Sequence, residues 1–187
     1  MTRQNQNVLR LLIVLAIFAV AIIYIAHKSP SSGPNGIATS PSQRFGPPDI
    51  YPIASITPGA TNPDITQDNI HDTICNPHWS TKSIRPHEDY TNRLKHDQLR
   101  QYGDTDTNPR DYEEDHLIPL EIGGNPSDPK NLWPEPYSTS IPDGGAKYKD
   151  KVENYLHHQV CSDAMPLAQA QRAIAGDWYR VYVSSIR

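Results

Sequence analysis

Between Asp111 and Pro134 the chain reads DYEEDHLIPLEIGGNPSDPKNLWP, and the spacing of its chain-breaking residues leaves few ways to fold. Pro119, Gly123, Gly124, Asn125 and Pro126 interrupt any regular element in the middle, while residues 112–118 and 131–133 are short runs suited to extended backbone. The expectation is strand, turn, strand. Consecutive side chains on a strand leave by opposite faces, so Asp115 and His116 stand side by side along the backbone where the first strand ends. A carboxylate next to an imidazole, just ahead of a tight turn, is the densest chemistry in the chain.

Helices are expected on both sides of this hairpin. Residues 88–102 carry a modest apolar face, with Tyr90 and Leu94 four apart and Leu99 and Tyr102 three apart, and Gly103 follows as a C-terminal cap. Residues 147–160 place Val152, Tyr155, Leu156 and Val160 on one side and Asp150, Glu153, Asn154 and His157 on the opposite arc. Residues 165–183 give the clearest period: Pro166 suits a first turn, and Leu167, Ala170, Ile174 and Trp178 form a core-facing stripe. Residues 66–74 read as a short helix or an extended lead-in. Residues 135–145, with Pro136, Pro142, Gly144 and Gly145, read as loop.

The amino-terminal third is different in kind. Residues 11–26 carry no charge, and residues 8–26 are predicted to form a transmembrane signal anchor. Arg3 and Arg10 outnumber the single Lys28 beyond it, which puts residues 1–7 in the cytoplasm and the remainder outside, in the periplasm or on the cell surface. Cleavage of the segment would release a secreted protein instead. Residues 27–63, rich in Ser, Pro and Gly, read as a flexible linker, with Tyr51 and Ile53 able to lie on the domain as an extended strap, leaving 64–187 as the folded domain. Cys75 and Cys161 are the only cysteines; beyond the membrane they are expected to pair, and closing so long a loop stabilises the fold by about 4 kcal/mol.

Charge argues against a strong grip on nucleic acid. The first 45 residues hold four of the 17 basic residues and no acidic one, so the remainder carries 13 basic against 21 acidic groups. Proteins that wrap a duplex have the opposite balance.

Asp115-His116 followed by an apolar pair and Pro119, then Gly123-Gly124, then Asn131-Leu132, resembles the HNH motif of the His-Me finger (ββα-metal) nucleases. The longer wording DHLIPLEIGG and NLWPEP is similar to a group of bacterial extracytoplasmic proteins labelled HNH nucleases by motif. The resemblance implies an α+β fold: a small ββα-metal core with flanking helices, preceded by the transmembrane helix and linker. It implies His116 as general base, Asp115 as ligand to one divalent cation, and Asn131 as the residue that orders the turn. The cation is expected to be Mg²⁺, with Mn²⁺ or another ion possible. The last ligand should come from the helix after the hairpin, where no residue matches the motif; His157, then Asn154, then Glu153 are the candidates.

These residue types suit phosphodiester hydrolysis. A neutral imidazole can take a proton from water, and a hard cation on a carboxylate can neutralise charge on the phosphate and the leaving oxygen. Glu113 or Glu114 could orient the imidazole through its far nitrogen or add to the metal shell; both could equally be solvated strand-edge charge. Arg85 and Lys95 are candidates for holding substrate phosphate, with surface ion pairing as the plainer reading. The implied partner is DNA or RNA read without sequence preference, and no oligomer is expected. Two other readings remain open: a catalytically inactive envelope domain for binding or scaffolding, and hydrolysis of some other phosphoester.

Overall fold

The computed structural model describes residues 44–187. The expected cytoplasmic segment 1–7, the anchor 8–26 and the linker as far as residue 43 lie outside the described residues. Among the described residues no helix is long and apolar enough to cross a membrane. What they form is a mixed α+β unit with three helices and one two-stranded sheet: α1 Glu88–Tyr102, β1 Tyr112–His116, β2 Leu132–Pro136, α2 Ala146–Cys161 and α3 Leu167–Ser185.

The helices stop where the local chemistry says they should. Helix α1 opens with Glu88 and Asp89 in its first turn, and its cap Gly103 has φ +72° with nothing near a would-be Cβ. Gly103 is therefore needed for its backbone angle and not for space. Helices α2 and α3 pack on each other through Val152, Leu156 and Val160 against Ala170, Ile174 and Trp178, all fully buried. A disulfide joins Cys75 to Cys161 and ties the segment before α1 to the end of α2.

Two sequence expectations are corrected. Residues 44–63 are not linker, because Ile50, Tyr51, Thr57 and Asn62 are buried and the backbone is held at Gly59 by Lys130 O and at Asn62 by Gly123 O, at 2.9 and 2.8 Å. Proline-rich backbone packs well when its few donors find partners and an aromatic or aliphatic side chain anchors it. Strand β2 also does not stop at Trp133; it runs through Pro134 and Pro136, paired with Glu114 and Tyr112. In a two-stranded sheet each strand is an edge, where a proline lacking N–H costs no ladder bond on its outer side. The consequence is that Glu135, expected in a loop, lies on a strand directly opposite Glu113.

Candidate metal and general-base site

The alternation of β1 sorts the site into two faces. Glu113 and Asp115 leave on one side, together with their cross-strand neighbours Glu135 and Trp133, while Glu114 and His116 leave on the other. Helix α2 supplies the cover for the first face. Ligand atoms of Glu113, Asp115 and Glu135 lie within 4.8 Å of one another.

Lys149 stands at the centre of this cluster with its side chain fully buried. Its ammonium donates to Asp115 Oδ2, to Glu153 Oε1 and, at 3.0 Å, to the carbonyl oxygen of His116. Those three bonds use all three of its N–H donors. Glu135 Oε2 is 3.5 Å from the same nitrogen, close enough to feel its charge, yet while Glu135 is a carboxylate neither of its oxygens has a hydrogen-bond partner among the described residues.

Carboxylates in surplus over one lysine shift the titrations in opposite directions. Burial alone would raise Asp115, but Lys149, a hydrogen bond with Glu135 and the neighbouring His116 together outweigh it and hold that carboxyl below its usual range. Burial would lower Lys149, but Asp115, Glu135 and Glu153 keep its ammonium charged well past its ordinary value. Burial, with Asp115 adding to it, pushes Glu113 up to about 7. Burial, opposed by Lys149, pushes Glu153 up to about 8 and Glu135 well above the carboxylate range. In the absence of a further cation, protons fill the charge deficit that one lysine leaves.

His116, only 3% exposed, is fixed from the turn. Its Nε2 lies 2.9 Å from the carbonyl oxygen of Pro126; a carbonyl can only accept, so Nε2 carries the proton and Nδ1 the lone pair. Burial lowers the imidazole's pKa against the opposing pull of Asp115, so it is neutral at pH 7. The far nitrogen is thus oriented by a backbone carbonyl and not by Glu113 or Glu114. Asn131, fully buried, holds that same turn: its Nδ2 donates to Ile118 O and Asn125 O at 2.9 and 3.0 Å, and its Oδ1 accepts from Ile118 N and Ala60 N at 3.0 and 3.3 Å. Gly124 is required beside it, since a Cβ would fall 1.7 Å from Ile118 O.

The other expected site residues are dispersed. Of the three helix candidates, Glu153 reaches the Asp115 cluster through Lys149. His157 points its Nε2 at Ile74 O, 2.9 Å away beside the disulfide, and Asn154 bonds back to Asp150 O at 2.7 Å on an exposed surface. Lys95 donates to Tyr112 O at 3.1 Å, while Arg85 lies near enough to His116 to depress its pKa. Glu114 sits under α1 with both oxygens buried and without hydrogen-bond partners, and burial pushes it up to about 8.

Lys149 and Glu135 are the two site residues that sequence reasoning missed. The signal for Lys149 was present: it continues the α2 stripe of Val152, Leu156 and Val160 at a spacing of three and four, and a lysine on an apolar face must find carboxylates there. Two cavities of about 490 and 470 Å³ lie elsewhere, one around Tyr51 and Pro52 and one between Tyr102, Tyr112 and Trp133; neither is lined by Asp115, His116 or Lys149. No protein-family model, curated protein or solved structure matches the chain.

Proposed function

We propose that this domain is a metal-dependent phosphodiesterase of the HNH type, acting on DNA or RNA without sequence preference. The observation that carries the reading is the crowding of buried Glu135 with Glu113 and Asp115 in a cluster where one lysine, 3.5 Å from Glu135, offsets only part of the charge. Such an oxygen set suits Mg²⁺ or Mn²⁺, and a cation held there would neutralise charge on the phosphate and the leaving oxygen. In this reading His116 is the base: the Pro126 carbonyl sets its tautomer and leaves Nδ1 to accept a proton, on the strand face opposite the three carboxylates, so the water must bridge the end of β1. Asn131 touches no substrate; it keeps the turn, and therefore the imidazole, in place.

A second reading has its own observation. The Lys149 ammonium already bonds Asp115, which suits an inert envelope domain that kept the hairpin and replaced the ion by a side chain. One assay separates the two: full-length protein incubated with plasmid DNA or RNA and Mg²⁺ or Mn²⁺. The nuclease reading predicts cleavage that EDTA abolishes and that His116→Ala lowers by about 10²-fold or more. Equal rates for His116→Ala and the parent protein would refute it.

A further inference from the structure

Lys149 is a fully buried cation among more carboxylates than it can serve. Its three donors go to Asp115 Oδ2, Glu153 Oε1 and the His116 carbonyl, and Glu135 at 3.5 Å receives charge but no hydrogen bond. An ammonium placed this way does two things at once. It gathers strand and helix carboxylates before any ion arrives, and it occupies oxygens that an ion would otherwise take.

We propose that Lys149 is a positioning residue for the cation: it pre-assembles the cluster and competes with the divalent ion, confining that ion to Glu113, Glu135 and the Asp115 oxygen that it leaves free. The inference rests on the metal-dependent reading, but it makes a separate demand, because a competitor's removal must strengthen ion binding whereas a mere pillar's removal must weaken it. The bond to the His116 carbonyl adds a second consequence. Lys149 ties the strand end bearing the base to the helix, so its loss lowers kcat even as the ion binds more tightly.

The test is Mn²⁺ titration of the full-length protein, followed by the electron paramagnetic resonance signal of free ion, for the parent and for Lys149→Met. Competition predicts at least tenfold tighter Mn²⁺ binding by Lys149→Met, at unchanged stoichiometry, with kcat reduced. Weaker or equal binding by the variant overturns the inference and leaves the metal-dependent reading intact. Binding by Lys149→Met but not by the parent overturns the positioning role along with the metal-dependent reading, since Lys149 then stands in place of the ion; binding by neither also removes both. Should Lys149→Met be unfolded without metal, Mn²⁺ must restore its circular dichroism by supplying the missing charge, and failure to do so also overturns the inference. The double variant Lys149→Met/Glu153→Met, which exchanges a buried charge pair for apolar side chains of similar length, provides the same comparison in a background free of an orphaned Glu153.

Discussion

Two buried carboxylates, Asp177 and Glu135, make the instructive comparison. Asp177, at the kink of α3, accepts from Tyr51 Oη at 2.6 Å, Phe45 N at 2.9 Å, Arg180 N at 3.0 Å and Arg180 Nε at 3.2 Å. Two of these donors, Phe45 N and Tyr51 Oη, moor residues 44–51 to the helix, and the two from Arg180 brace the kink itself. Glu135, also buried, takes no hydrogen bond as a carboxylate: it meets Lys149 at 3.5 Å and otherwise faces Asp115, to which it bonds only by holding a proton. A carboxylate whose lone pairs are filled by its own fold is a structural joint. One that shares a single lysine with Glu113 and Asp115 is, in the reading proposed here, where a cation would bind.

The largest effect that would break this comparison is at Lys149. Lys149→Met orphans Asp115 and Glu153 inside the protein and should cost about 3–5 kcal/mol at pH 8, read by urea unfolding followed through tryptophan fluorescence. The cost should shrink at pH 5, where the carboxyls neutralise themselves. The parent protein follows the same logic. Glu113 and Glu153, with folded values near 7 and 8, bind protons more tightly folded than unfolded, so their stabilisation is complete below about pH 4.5 and is lost as pH rises through 7 to 8. A parent protein that gains stability over that interval in EDTA would contradict the surplus of carboxylates.

A smaller, contrasting effect belongs to the moored site. Asp177→Asn retains an acceptor for some of the donors and should cost about 1–2 kcal/mol, with Mn²⁺ affinity unchanged. A variant that weakened ion binding tenfold would mean that the two carboxylates are not separable in the way their hydrogen bonds indicate.

Much of the architecture was legible because helices announce themselves by period. Leu167, Ala170, Ile174 and Trp178 were read as a buried stripe and are one, and Gly103 marked the end of α1. The hairpin was legible as strand, turn, strand, but Pro134 and Pro136 read as breakers and concealed that β2 carries Glu135 into the site. Proline forbids a ladder bond only where one would be made, and strand pairing decides that. The linker was overextended for a related reason: composition records flexibility in isolation, whereas Ile50 and Tyr51 are held by α3, more than a hundred residues away.

The carboxylate cluster draws Glu113 and Asp115 from β1, Glu153 from the polar arc of α2 and Lys149 from its apolar side. The polar arc of α2 drew attention to His157 and Asn154, whose partners turn out to be Ile74 O and Asp150 O. Lys149, on the apolar side, was passed over because lysine is ordinarily a surface residue. Periodicity reports which face is buried, but only three-dimensional proximity tells which charges meet there.

The most direct test of the central claim is anomalous diffraction from crystals of the protein soaked in Mn²⁺. The account predicts one strong peak bonded to oxygens of Glu113, Asp115 and Glu135, at about 2.0–2.3 Å, with Lys149 alongside. A cluster closed by Lys149 alone, with no anomalous peak among the three carboxylates, would contradict it.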